Sequence, residues 1–186
     1  MEIDKKINKE VEVRSFIDDL TYGKLIEYFD VNSKFIGEEE QINYYFNCKE
    51  DLRLRIINNN KAKLVYKSGK IHDNYRDEIE VNIDYNNVSN ILFILKKLNI
   101  NTEIKWERYR RIYKWNDIKV CIDDNKGYGN IIELEKLVKG NEDKVYKELY
   151  KKLKSLNIQK ITTKQEFNKK FEYYKNNWKK LLKNEI

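Results

Sequence analysis

The chain contains several short segments in which apolar and charged residues alternate. In EVEVR, residues 10–14, the two valines share one face, and Glu10, Glu12 and Arg14 share the other, because successive side chains of a strand point to opposite sides. The same separation of charge from apolar residues recurs in five later segments, at residues 51–56, 63–67, 76–83, 118–123 and 131–137. We predict a strand in each of the six.

The segment RYRRIY, residues 108–113, follows the pattern less cleanly. Arg108 and Arg110 share one face, but Arg111 and Ile112 interrupt the alternation. We predict a strand here as well. Clusters of turn-forming residues separate the predicted strands, at residues 58–60, 68–74, 115–117 and 124–129. Such short turns are typical of hairpins, so the sheet is predicted to be antiparallel.

Apolar residues recur at helical spacing in four other segments. These segments predict helices at residues 19–30, 88–98, 142–156 and 163–184. The last helix begins with TKQE, which has the residue types of a capping box. Its aromatic residues form a single stripe, which indicates packing against the sheet and not stacking on nucleic-acid bases.

The charges are sorted by sign along the predicted strands. Glu10 and Glu12 share a strand, as do Arg53 and Arg55, and Glu133 and Glu135. Like charges two residues apart on a strand lie about 6.5 Å apart and repel. On a solvent-facing sheet opposite charges usually intermix, so this segregation favours charges that face inward around a ligand. We predict the α+β class, with a closed antiparallel β-barrel of about eight strands, a charged lumen and an outer cover of helices.

Composition sets outer limits on these predictions. A chain of 186 residues with 40% hydrophobic residues fits a single domain over residues 1–186. No apolar run approaches 18 residues, so we expect neither a membrane span nor secretion, and a cytoplasmic protein. The net charge of +7 suits an anionic partner, which could be phosphate, a nucleotide or nucleic acid. Cys48 and Cys121 lie far apart in no metal-ligand spacing, so we expect free thiols.

The charged faces indicate a metal and a polyphosphate as ligands. Mg²⁺ and Mn²⁺ prefer oxygen ligands, and the candidate ligands are Glu10, Glu12, Glu133 and Glu135. Guanidinium and ammonium groups bind phosphate oxygens, and the candidates are Arg53, Arg55, Lys67, Arg108 and Arg110. The chain carries no glycine-rich phosphate-binding fingerprint of the common nucleotide folds. The only histidine, His72, falls in a predicted loop, where we expect it to be solvated.

These segments, taken in order, resemble the CYTH domain, the fold of the triphosphate tunnel metalloenzymes. EVEVR fits the motif Glu, any, Glu, any, Lys, with Arg14 in the place of the lysine. Residues 122–135 reproduce the spacing Asp, five residues, Gly, three residues, Glu, any, Glu. Between them, residues 35–47 are similar to the stretch that leads into the second strand of the cyclase-like branch, and DLRLRI, LVYK, YRDEIEV and RYRRIY follow in the expected order. The resemblance covers almost the whole chain.

The resemblance implies a metal-dependent enzyme that binds a triphosphate in a tunnel. It implies that Mg²⁺ or Mn²⁺ is bound by Glu10, Glu12, Glu133 and Glu135, with Asp123 near them in an acidic role. It implies that the triphosphate is held by Arg14, Arg53, Arg55, Lys67, Arg108 and Arg110. The expected catalytic set is Glu10, Glu12, Arg14, Lys67 and Asp123. Because an arginine stays protonated, Arg14 cannot take the part of a base.

The resemblance leaves the reaction open. The first hypothesis is a class IV adenylate cyclase, which converts ATP to cyclic AMP and pyrophosphate, because residues 35–47 are similar to that branch. The second is a triphosphatase for thiamine triphosphate, inorganic tripolyphosphate or a nucleoside triphosphate. The third is a nucleotide- or RNA-binding module without turnover. We expect a small triphosphate in preference to nucleic acid as partner, no membrane contact, and a monomer or a homodimer.

Overall fold

A computed structural model describes residues 9–69, 75–158 and 160–183. His72 and the end of the helix predicted to reach residue 184 lie outside these residues. Within the described part, eight strands and four α-helices follow one another along the chain. The strands are β1 (Lys9–Ile17), β2 (Lys34–Phe46), β3 (Asp51–Ile57), β4 (Lys61–Lys67), β5 (Tyr75–Ile83), β6 (Thr102–Trp115), β7 (Ile118–Asn125) and β8 (Gly129–Val138). The helices are α1 (Asp19–Asn32), α2 (Val88–Lys97), α3 (Glu142–Lys154) and α4 (Lys164–Leu181).

The strands close into one antiparallel barrel. Their order around it is β1-β5-β4-β3-β2-β6-β7-β8, and β1 completes the circle by pairing with both β5 and β8. Closure leaves no unpaired sheet edge. The predicted α+β class and the closed barrel are confirmed.

The seven predicted strands are present, and the structure adds β2 as the eighth. The sequence did not predict a strand there, because Glu38, Glu39 and Glu40 form a continuous charged run and only the residues after them alternate. Tertiary pairing overrides this local pattern, since β2 lies between β3 and β6 in the barrel. β6 also begins at Thr102, six residues before the predicted start.

The interrupted pattern in β6 has a simple structural reason. Ile112 pairs with Cys121 and therefore shares its inward face, so the lumen accepts an apolar residue at that position. Arg111 points outward, where its guanidinium lies 3.5 Å from the carboxylate of Asp30. The period-two alternation thus continues through the segment.

The helices cover the apolar outer face of the barrel. Leu25 and Phe29 of α1 and Leu149 of α3 pack with outward-facing residues of β1, β7 and β8. Val88 begins α2 and packs with the outer face of β3 and β4. None of the described helices is long and apolar enough to span a bilayer.

The last helix occupies a different position. α4 begins with the predicted capping box, in which Thr163 and Glu166 satisfy each other's backbone N–H groups. Its Phe167 and Tyr174 pack against Trp106, a residue on the inward-facing side of β6. α4 therefore lies across one end of the barrel, where the lumen would otherwise open.

We predict that the outer apolar cluster supports the barrel energetically. Leu134 on β8 is fully buried, so Leu134→Ala should lower the free energy of unfolding by about 2–5 kcal/mol. Leu137 on the same strand is 64% exposed, and Leu137→Ala should change the free energy of unfolding by less than about 0.5 kcal/mol. Urea titration of both variants checks this, and equal losses would contradict the assigned burial.

Candidate functional site

The lumen of the barrel contains a cavity of about 600 Å³ lined mainly by charged side chains. Strand register creates this lining, because residues that pair directly on antiparallel strands share a face. Glu12 pairs with Glu135 and Arg14 pairs with Glu133, so β1 and β8 present their charges to the same interior. The charges that the sequence assigned to one face therefore point inward.

Three of the four predicted metal ligands form one group. Glu10, Glu12 and Glu135 each place a carboxylate oxygen within 4.8 Å of the others. Glu133 lies in a neighbouring group with Cys121 and Glu135. Glu135 therefore belongs to both groups, and the predicted set of four is divided between them.

Each of these carboxylates has a cationic partner in the lumen. Lys67 Nζ donates to Glu10 at 2.8 Å, and Lys119 Nζ donates to Glu135 at 2.6 Å. Arg110 donates to Glu133 and lies 3.7 Å from Glu135. The carboxylate of Glu135 is the main cause that raises the pKa of Lys119, against the opposing effect of burial. These pairs offset the desolvation cost of acids placed in a largely enclosed cavity.

The group of Glu10, Glu12 and Glu135 fits a hard divalent cation. All three donors are carboxylate oxygens, the ligand type that Mg²⁺ and Mn²⁺ prefer. The second group fits less well because it includes the sulfur of Cys121, a soft donor that Mg²⁺ and Mn²⁺ do not prefer. The donor chemistry thus favours the three-glutamate group.

Several arginines also face the lumen. Arg53 and Arg55 come from β3, which lies across the barrel from β8, and Arg108 comes from β6, which is separated from β8 by β7. Burial and then the neighbouring cations of Arg108 and Arg53 lower the pKa of Arg55. These arginines lie close enough to repel one another although each is paired with a carboxylate, and a bound anion would relieve that repulsion.

Arg14 lies among the carboxylates of β1 and β8. Its guanidinium is 3.6 Å from the carboxylate of Glu12 and 3.8 Å from that of Glu133. Burial alone would lower the pKa of Arg14, but the two carboxylates outweigh it and raise the pKa above its usual value. Arg14 is therefore charged under all ordinary conditions and cannot accept a proton.

Asp123 lies with the arginines. Its carboxylate is fully buried and accepts hydrogen bonds from Arg110 at 2.6 and 2.7 Å and from Arg108 at 3.0 Å. Among the described residues, the acidic groups close enough to share an ion do not include Asp123. The carboxylate therefore fixes the orientation of two arginines.

The sequence analysis did not select several residues that complete the site. Asp51 accepts from Arg53 at 2.6 Å and from Arg76 at 2.7 Å. Despite burial, these two arginines lower the pKa of Asp51. Asp51 and Arg53 occupy alternate positions of one strand, so the alternation that identified Arg53 also indicates Asp51. Tyr45 and Trp106 line the cavity too, but aromatic residues on a strand give no signal that separates a ligand contact from core packing.

Comparison with known proteins agrees with this geometry. Residues 8–167 match the CYTH domain family. A relative from Methanocaldococcus jannaschii, named "Putative adenylate cyclase", is 36% identical over 164 residues, which are 81% of this chain and 91% of the relative.

Solved structures share the fold. A Pyrococcus horikoshii protein has a TM-score of 0.70 and 24% identity, with 82% of this chain and 94% of that chain covered. A Hippeastrum protein, described as a "putative adenylyl cyclase" with a dominant triphosphatase activity, has a TM-score of 0.61 and 17% identity, with 82% and 89% covered. With a family match over most of its length and a 36% identical relative, the chain belongs to the CYTH domain family.

Proposed function

We propose that the protein is a metal-dependent enzyme that processes a triphosphate inside the barrel. The observation that carries this proposal is that a three-carboxylate group and several arginines face the same lumen. Three carboxylates within 4.8 Å of one another suit a divalent ion, and the arginines suit the phosphates. An anion that brings its own cation can contact both sets of residues at once.

The predicted residues take distinct parts in this proposal. Glu10, Glu12 and Glu135 hold Mg²⁺ or Mn²⁺, with Glu133 beside them, and the ion supplies positive charge that stabilises charge developing on the phosphate oxygens. Arg53, Arg55, Arg108 and Arg110 bind the phosphate chain, together with Arg14 and Lys67, which also contact the glutamates. Asp123 acts by orienting Arg108 and Arg110, the two arginines that it contacts.

The reaction we place first is that of an adenylate cyclase, in which the ribose 3′-hydroxyl attacks the α-phosphorus of ATP and pyrophosphate leaves. Its support is the name of the relative that is 36% identical. The second candidate is a triphosphatase, in which water attacks the terminal phosphorus, and its support is the activity described for the Hippeastrum protein. Both reactions need the phosphate chain to be bound by the same residues. A nucleotide- or RNA-binding module without turnover has the weaker support. Proteins bind RNA largely through its phosphate charge, and a group of three carboxylates suited to a metal ion does not contribute to such binding.

The remaining features of the proposal come from the sequence. They are a single CYTH domain over residues 1–186, a cytoplasmic location, a monomer or homodimer, and a small triphosphate in preference to nucleic acid as the partner.

Product analysis separates the reactions. Purified protein is incubated with ATP, thiamine triphosphate and tripolyphosphate, each with Mg²⁺ or Mn²⁺, and the products are resolved by chromatography. A cyclase yields cyclic AMP and pyrophosphate, whereas a triphosphatase yields orthophosphate and the diphosphate. Tight binding of all three with no product would identify a binding module and refute the enzyme proposal.

We predict that loss of one carboxylate from the three-glutamate group impairs metal binding. Glu12→Gln and Glu135→Gln keep the shape of the side chain, and each should weaken Mn²⁺ binding at least tenfold and lower turnover strongly. Glu107→Gln is the matched control, because this residue lies outside the metal groups and pairs with Lys105 and Lys126. Titration calorimetry measures the affinity. If a Gln variant binds Mn²⁺ as tightly as the wild type does, the glutamate that it replaces is not a metal ligand.

Two substitutions of Arg14 test whether this residue binds phosphate. Arg14→Lys keeps the charge and should retain much of the activity, whereas Arg14→Ala should cost roughly 1.5–3 kcal/mol of charge-assisted contact, seen as a higher KM or a slower step. Steady-state kinetics on the best of the three substrates measures both. If Arg14→Lys instead raises the rate by orders of magnitude, proton transfer by a lysine is the essential role, and the phosphate-binding role is wrong.

A further inference from the structure

Glu135 belongs to both candidate metal groups, and each of its carboxylate oxygens faces a cation. Lys119 Nζ donates to Oε2 at 2.6 Å, and a guanidinium nitrogen of Arg110 lies 3.7 Å from Oε1. A divalent ion bound by Glu135 would repel both cations at these short distances. We therefore expect one of the two to move away when Glu135 serves as a metal ligand.

Arg110 is fixed in place by its other contacts. It donates to Asp123 at 2.6 and 2.7 Å and also to Glu133, and its side chain is only 6% exposed. Moving Arg110 would break these contacts and leave the carboxylate of Asp123 buried with less pairing, which is costly. Arg110 therefore stays beside Glu135.

Lys119 is held much less firmly. Its contact with Glu135 is its only hydrogen bond or ion pair within the part of the chain that the structure describes, and its side chain is 50% exposed. Lys67, which donates to Glu10 in the same group of glutamates, also lies 3.3 Å from Glu78 and is far more buried. A half-exposed ammonium regains water when it leaves its partner, so turning away costs Lys119 little.

The cavity reaches the protein surface close to Lys119. Leu137 lines the cavity although it is 64% exposed, and it follows Glu135 by two positions on β8. Asp117 also lines the cavity, is exposed, and precedes Lys119 by two positions. These two residues are here called the mouth. The flexible aliphatic stem of a lysine allows its ammonium to turn from the lumen toward the mouth.

We infer that Lys119 competes with the divalent ion for Glu135. Lys119 holds the carboxylate in the metal-free protein and turns to the mouth when the ion binds, so the affinity for the ion is lower than the carboxylates alone would give. The inference rests on the proposed function and adds regulation to it, because Lys119 sets the metal concentration at which the site fills.

Titration calorimetry with Mn²⁺ tests this inference. Lys119→Met keeps an unbranched stem, removes the ammonium and should tighten Mn²⁺ binding about tenfold. Lys119→Gln is also neutral but can still donate to Glu135, and it should act in the same direction. Lys119→Arg keeps a cation beside Glu135 and should bind Mn²⁺ no more tightly than the wild type does.

Lys136→Met is the matched control. Lys136 lines the same cavity, but its partner is Asp117 and not a glutamate of the metal groups. The substitution removes the same charge as Lys119→Met, and at physiological ionic strength it should change the Mn²⁺ affinity by less than about twofold.

Thermal melting separates competition from simple support of the fold. Without metal, Lys119→Met should lower the Tm, because Glu135 loses its closest partner. At one fixed Mn²⁺ concentration, the ion should raise the Tm of Lys119→Met more than that of the wild type, because stabilisation by a ligand grows with its affinity. If Lys119 only supports the fold, the Tm falls by the same amount with and without Mn²⁺.

The outcomes separate the two proposals. If neither the wild type nor the Lys119 variants bind Mn²⁺, the proposed metal site fails and the inference fails with it. If the wild type binds Mn²⁺ but Lys119→Met and Lys119→Gln bind it no more tightly, the metal site stands and the competition is wrong. A gain in Lys136→Met as large as that in Lys119→Met would assign the effect to net charge and also overturn the competition.

Discussion

The structure depends on one constraint, which is that charges enclosed in a barrel must be paired. Asp123 and Asp51 each bind two arginines, and Lys67 and Lys119 each hold a glutamate. Breaking one such pair leaves an uncompensated buried charge, which is strongly destabilising. The lumen is therefore a network in which each side chain is held by its partners, and this fixes the positions from which a ligand can be bound.

Pairing does not remove every repulsion, because like charges accumulate in two places. Burial, and then the neighbouring Arg108 and Arg53, lower the pKa of Arg55. Glu10, Glu12 and Glu135 bring three carboxylates together in another part of the lumen. A bound cation and a bound polyanion would each relieve one of these accumulations. The repulsion built into the free protein is in this way the basis of the proposed binding.

α4 connects the fold to the shape of the cavity. The other helices cover the outer apolar face, but α4 packs on inward-facing residues at one end of the barrel. It contributes Phe167 and Phe171 to the cavity, so the same helix closes the lumen and forms part of its lining.

The sequence alone determined the barrel and most of its charged lining. Period-two alternation is a local signal, because each side chain of a strand faces one side or the other, and it identified Arg53, Glu133 and their neighbours correctly as residues that share one face. It missed β2, whose charged run makes sense only when β3 and β6 pair with it on either side. Tertiary structure alone decided that Glu133 lies outside the three-glutamate group and that Asp123 binds two arginines. These are distances between strands that are remote in sequence, and barrel closure sets them.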